Sequence, residues 1–170
     1  MRQTGCRNKT ILIAPVAAVR GEIAGSTAYY VLCVSEAEMN AETGNALWLS
    51  FADTEDSAHP EAFRAEQAGC ILKFFQRIPA GSDIFICCDS GESRSAAIAA
   101  ALKRIQGQSE FDIWTDPAYH PNRYVYKLSC RVFGNPVSEK DLLQRKAINR
   151  EALRRAVEAE TSRYNYEKPV

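Results

Sequence analysis

The stretch from Asp83 to Gly107 reads DIFICCDSGESRSAAIAAALKRIQG. Its opening, Asp83 to Cys88 (DIFICC), is a short apolar run suited to a buried strand. Ser95 to Gln106 (SAAIAAALKRIQ) is made of strong helix formers and is closed by Gly107. Between strand and helix lies a tight loop, Cys88-Asp89-Ser90-Gly91-Glu92-Ser93-Arg94-Ser95. A loop in this setting turns successive backbone N–H groups toward one point and forms an anion nest. The helix behind it adds unpaired N–H groups and a positive dipole end. Gly91 permits the sharp backbone turn such a cradle needs. Arg94 offers a planar fork of donors matched to phosphate oxygens. Cys88, at the start of the loop, is expected beneath a bound phosphate, where the field that holds the anion also favours a thiolate nucleophile. Of the six cysteines, only Cys88 has an arginine six positions on.

Working outward, strand-like runs precede this stretch at Thr10–Ala14 (TILIA), Tyr29–Val34 (YYVLCV) and Ala46–Phe51 (ALWLSF). A polar loop, Ala52 to Pro60, follows the third. Apolar residues at helical spacing (Phe63, Ile71, Phe75 and Ile78) predict a helix within Glu61–Ile78, ended by Pro79 and Gly81. After Gly107 a loop carries Trp114, Asp116 and Pro117, and a helix begins near Pro121. A last helix starts at Ser138, where Ser138 and Asp141 make a capping signal. Apolar strands alternating with helices predict a single α/β domain. Its expected core is a four-stranded, mainly parallel sheet with helices on both faces. Residues 138–163 are highly charged, with a thin stripe of Leu142, Leu143, Ile148, Leu153 and Val157 expected to dock on the domain.

Composition narrows the function classes. The 170 residues carry 21 basic and 21 acidic side chains, a formal net charge of zero. Non-specific nucleic-acid binders carry a basic excess, so no nucleic-acid partner is expected. No apolar run is long enough to span a membrane, and the N-terminal stretch is broken by Pro15, so a cytoplasmic protein with no membrane partner is expected. Cys6, Cys33, Cys70, Cys87, Cys88 and Cys130 include no CxxC pair, and His59 and His120 lie far from any cysteine pair. Neither a metal site nor a disulfide scaffold is expected, and no cofactor.

The loop C-D-S-G-E-S-R-S resembles the C-x5-R-[ST] signature of the cysteine-dependent protein tyrosine phosphatase superfamily. The nearest resemblance is to its small bacterial and phage dual-specificity-like members. Ala52-Asp53-Thr54-Glu55 resembles the general-acid loop of dual-specificity phosphatases. Tyr119 to Tyr126 (YHPNRYVY) is similar to a late segment of the small bacterial group. The resemblance spans roughly residues 8–135. It implies a phosphatase domain over 1–137, with 138–170 as an appended helix and tail.

The resemblance further implies a metal-free, two-step hydrolysis of phosphate monoesters. Cys88 attacks phosphorus and Arg94 holds the phosphoryl oxygens. Ser95 assists the departing thiolate, and an aspartate acts first as acid and then as base. Asp53 is assigned that role, with Asp56 next in line. The loop residues Asp89, Ser90, Gly91, Glu92, Ser93 and Arg94 are the expected substrate cradle. The expected partner is a phosphorylated protein, with phosphotyrosine foremost, or a small phosphate ester. The alternatives are a phospho-ligand-binding module with weak turnover, and a phosphatase for an RNA 5′-triphosphate or an inositol phosphate. Neutral net charge and the absence of lysines from the loop weigh against the last two.

Departures from the family pattern stand out. Cys87 occupies the place where the family has histidine, and Glu92 puts a negative charge on the loop, expected to face solvent. Strand alternation points Cys87 and Cys88 to opposite faces, which makes Cys87 a core residue and a poor partner for an oxidised Cys88. Cys33 and Cys70 are read as buried thiols and as the better resolving partners, Cys33 first. His59 and His120 are read as loop-shaping residues, Trp48 and Trp114 as core and loop anchors, and Arg123 and Lys127 as surface charges.

Overall fold

The computed structural model describes residues 8–22, 29–36 and 41–167. Its sheet has four parallel strands: β1 (Thr10–Pro15), β2 (Tyr30–Ser35), β4 (Ala46–Ser50) and β5 (Asp83–Cys88). A short strand, β3 (Ala41–Thr43), pairs antiparallel with β4 at one edge, giving the order β1-β5-β2-β4-β3. The four expected strands form the parallel part of the sheet, and β3 is an addition. Three residues beside a turn at Gly44 carry no periodicity by which a sequence could announce them.

The helices are α1 (Val16–Glu22), α2 (Ala65–Arg77), α3 (Arg94–Ile105), α4 (Phe111–Thr115), α5 (Arg123–Val132) and α6 (Glu139–Glu167). Of these, α1 and α4 fall where a strand end and a loop are expected from sequence. The helix expected from Glu61 begins later, because residues 52–64 run as an irregular loop whose backbone closes on itself, as in Ala52 N–H to Glu61 C=O. One face of the sheet is covered by α1, through a cluster of Val19, Val31, Cys33 and Cys87. The larger core on the other face joins α2, α3 and α5 to the strands through Leu32, Val34, Ile84, Ile86, Phe63, Phe75 and Val125.

Helix α3 runs through the centre of that core, and Ala96 to Leu102 are all fully buried. Its run of alanines lets the helix lie close to β1 and β5 while keeping strong helix propensity. That packing fixes the helix N-terminus at the carboxyl end of β5, an inner strand between β1 and β2, where ligands of parallel α/β sheets bind.

The C-terminal helix α6 is capped by Ser138, whose Oγ accepts the Asp141 N–H at 3.1 Å. It packs on α4 and the loop after it: Asn149 Nδ2 donates to the Trp114 carbonyl at 3.4 Å and to the Tyr119 carbonyl at 2.8 Å, and Leu142 is buried. The buried Glu110 ties three elements together. It accepts from Tyr126 Oη and from Arg145 Nε, each at 2.7 Å. The expected apolar stripe docks only in part: Leu142 is buried and Ile148 and Leu153 are half-buried, whereas Leu143 and Val157 are each 61% exposed. No helix among the described residues is long and apolar enough to cross a membrane.

Candidate active site

Cys88 is the last residue of β5 and is fully buried. Its Sγ lies 3.1 Å from Ser95 Oγ, in the first turn of α3. The loop between them arches over the pair, with Asp89, Ser90 and Glu92 exposed and Gly91 buried. Gly91 has φ +79°, and a Cβ there would stand 2.7 Å from Pro15 N and 2.8 Å from the carbonyl carbon of Ala14. The end of β1 therefore presses directly on the loop, and only glycine fits both the turn and the gap.

Arg94, the first residue of α3, is 4% exposed. Its Nη1 donates to the Phe51 carbonyl at 2.8 Å, and its Nη2 meets Asp89 Oδ2 at 2.5 Å. Asp89 also accepts from Ser35 Oγ at 2.9 Å. Burial pushes the Asp89 carboxyl up, but the Arg94 and Ser35 hydrogen bonds outweigh it and hold the group below the usual range. Arg94 Nε is buried and has no partner. A buried guanidinium N–H left unpaired is costly in a folded protein unless something else is to take it.

Asp53 lies on the loop after β4 and reaches the signature loop. Its Oδ1 accepts from Ser93 Oγ at 2.9 Å and from Asn122 Nδ2 at 2.7 Å. Asp56 does not come to the cradle through its carboxylate, which accepts the Ala58 N–H at 2.9 Å within its own loop. Between the two candidates, geometry brings only Asp53 into contact with the signature loop.

Two residues at the start of α5 were not assigned a role from sequence. Asn122 is buried, caps α5 by accepting the Val125 N–H at 3.0 Å, and donates to Asp53 and to the Thr54 carbonyl. Arg123, expected to be a surface charge, is paired bidentately with Glu55. That pairing, through the hydrogen bonds from Arg123, lowers the Glu55 carboxyl below its ordinary value. Both residues belong to the YHPNRYVY run, so the signal was present, but its partners lie 68 and 69 residues away. His120 shapes this junction through its backbone, donating its N–H to the Glu92 carbonyl at 3.0 Å. Lys127 pairs with Glu139 instead of the site.

The remaining thiols divide by face. Cys87 is fully buried in the cluster opposite Cys88, as alternation requires. Its contact with the Cys33 thiol, and then burial, push its thiol far up. Cys33 is in register with Cys87. In-register neighbours of a parallel sheet share a face, so Cys33 lies on the wrong side to resolve an oxidised Cys88. Cys70 is exposed on α2, whose buried side carries Ala68, Ile71, Phe74 and Phe75. Neither expected resolving thiol lies beneath the loop, and Cys70 is not a core thiol. Cys6 falls outside the described residues.

Among the described residues no group of histidines, cysteines and acids could hold a metal ion. No protein-family model matches the chain, and no curated protein matches it. Among solved structures the chain is similar to that of PTPMT1 in complex with PI(5)P. The two share 15% identity over 86% of this chain and 94% of that one, with a TM-score of 0.36.

Proposed function

We propose that this protein is a cysteine-dependent phosphatase that hydrolyses phosphate monoesters, phosphotyrosine in proteins foremost, through a phosphocysteine intermediate. The reading rests on one arrangement: a buried thiol and a buried guanidinium with an unpartnered Nε bracket one loop at the N-terminus of α3. A phosphate dianion seated there takes the loop N–H groups, the helix end and the free Arg94 Nε together.

The proposed steps use these positions. The Cys88 thiolate attacks phosphorus in line with the departing oxygen, and the S–P bond forms as the O–P bond breaks. Asp53, in its acid form, gives its proton to that oxygen. Both hydrogen bonds on Asp53 fall on Oδ1, which leaves Oδ2 for the leaving group. In the second step Asp53 takes a proton from water, the water oxygen bonds to phosphorus, and the thiolate departs. Ser95 Oγ, 3.1 Å from Cys88 Sγ, donates to the sulfur as its charge returns.

One observation favours a second reading, a phospho-ligand-binding module with weak turnover. Asp89 already occupies Arg94 Nη2, and Glu36 Oε1 stands 3.9 Å from Nη1, so an arriving phosphate competes with carboxylates. Hydrolysis of p-nitrophenyl phosphate by the wild type and by Cys88→Ser separates the readings. The phosphatase turns over in the wild type and loses that turnover in Cys88→Ser while still binding phosphate. Equal rates in the two proteins refute catalysis by Cys88. Binding without turnover in the wild type favours the module.

A further inference from the structure

The mouth of the site is ringed by carboxylates from three separate segments. Glu36, at the end of β2, has Oε1 3.9 Å from Arg94 Nη1 and accepts the Asp53 N–H at 3.4 Å. Asp89 and Glu92 stand on the signature loop and Asp53 on the loop that meets it, where Glu55 is offset by its pair with Arg123. The side chains of Glu36 and Asp89 are 60% and 46% exposed, so their field reaches the solvent from which a ligand arrives.

Of the described cations of the same region, two arginines are turned to protein acceptors, and Lys146 of α6 acts on Glu55 by its charge alone. Arg123 is held by Glu55, and Arg64 donates to the carbonyls of Ser57, His59 and Pro60. Arg94 keeps its Nε for the ligand and offsets one of the two carboxylates beside it, Asp89 and Glu36, so with Glu92 and Asp53 the mouth retains an excess of negative charge. The cradle therefore has donors for one phosphate group, while negative charge elsewhere on the same ligand meets a ring of like charge. Positive charge on the ligand meets a complementary one.

We infer that the phosphate this site takes is carried on a cationic peptide segment, with lysine or arginine beside the phosphorylated residue. The inference rests on the phosphate-site reading above and gives it a substrate class. The same ring disfavours ligands with several phosphates, such as phosphoinositide headgroups, and phosphopeptides with acidic flanks. The net charge of the chain is zero, so the preference comes from where the carboxylates are gathered and not from the protein as a whole.

The test is binding to full-length Cys88→Ser, followed by titration calorimetry. The probes are phosphotyrosyl peptides of one core sequence flanked by lysines or by glutamates, and phosphatidylcholine vesicles doped with phosphoinositide. At low ionic strength the lysine-flanked peptide binds at least about tenfold more tightly than the glutamate-flanked one, and the ratio shrinks as salt screens the ring. In the same background Glu92→Gln and Glu36→Gln each reduce the ratio. A ratio of one or below overturns the inference, as does tighter binding to the vesicles than to either peptide. Equal binding of the unphosphorylated lysine peptide, or no binding of any probe, overturns it together with the phosphate-site reading. Failure of the catalytic reading alone is seen separately, as wild-type protein that binds but does not hydrolyse p-nitrophenyl phosphate.

Discussion

Asn122 Nδ2 lies 2.7 Å from Asp53 Oδ1 and donates to it across 69 residues of sequence. The same side chain caps α5 through its oxygen, so one buried amide joins a helix terminus to the loop that carries the proposed acid. Replacing it separates two effects. Asn122→Ser keeps a capping oxygen but loses the reach to Asp53, whereas Asn122→Ala loses both and costs about 1 kcal/mol of stability for the cap. Both variants are expected to slow phenyl phosphate hydrolysis by about 10–100-fold, through misplacement of the acid. An activated aryl phosphate, which needs little protonation, suffers less. Equal losses on the two substrates would make Asn122 a structural residue only.

The Asp53 carboxylate itself obeys the same logic more severely. Asp53→Ala is expected to reduce turnover of phenyl phosphate by about 10²–10⁴-fold, the scale of general acid catalysis. Asp56→Ala should leave turnover near wild type, because its carboxylate is spent on the Ala58 N–H. Steady-state kinetics on the pair of variants decides the assignment, and a larger loss in Asp56→Ala would reverse it.

Arg94 meets the Phe51 carbonyl, Asp89 and, at 3.9 Å, Glu36 through its two terminal nitrogens, and its Nε is unpartnered. Lysine keeps the charge but has no fork. Arg94→Lys is therefore expected to lose at least ~100-fold in kcat/KM for an aryl phosphate. Near-normal kinetics would assign the arginine to holding Phe51 and Asp89 alone.

Gly91 faces backbone, not a flexible side chain. A methyl group 2.7 Å from Pro15 N forces β1 or the signature loop to move, and alanine is strained at φ +79° besides. Gly91→Ala should lower the melting temperature and abolish most turnover, measurable by thermal unfolding and by p-nitrophenyl phosphate hydrolysis. A variant with wild-type stability and rate would show that the junction is loose in solution.

The Glu55–Arg123 pair gives a pH signature. Hydrogen bonding from Arg123 lowers the Glu55 carboxyl in the folded protein relative to its unfolded value near 4.5. A lowered carboxyl contributes stability above the unfolded value, and that contribution is lost as pH falls through the folded one. Wild type should therefore be more stable than Glu55→Gln at pH 7, by less than about 1 kcal/mol for so exposed a pair, with the gap closing below about pH 4. Urea unfolding at a series of pH values measures it, and a gap that is constant with pH would contradict the pairing.

What the sequence alone determined is local. The apolar run Asp83–Cys88, the glycine at 91 and the alanine-rich helix after Arg94 depend on near neighbours, so strand, turn and helix were legible in order. Alternation along the strand likewise separated Cys87 from Cys88. The capping signal at Ser138 and Asp141 was read correctly for the same reason, since both partners sit within one turn.

Tertiary structure decided everything that depends on which strands become neighbours. That β2 lies beside β5 in a register matching Cys33 with Cys87 placed Cys33 on the face away from Cys88, whereas the sequence had suggested a position near that thiol. The contact of Asp53 with the signature loop, and those of Asn122 and Arg123 with the loop that carries Asp53, run across 40 to 69 residues. A hydrogen bond is directional and reaches only about 3 Å. Its existence follows from how packed elements aim two side chains at one another, and no pattern along the chain carries that information.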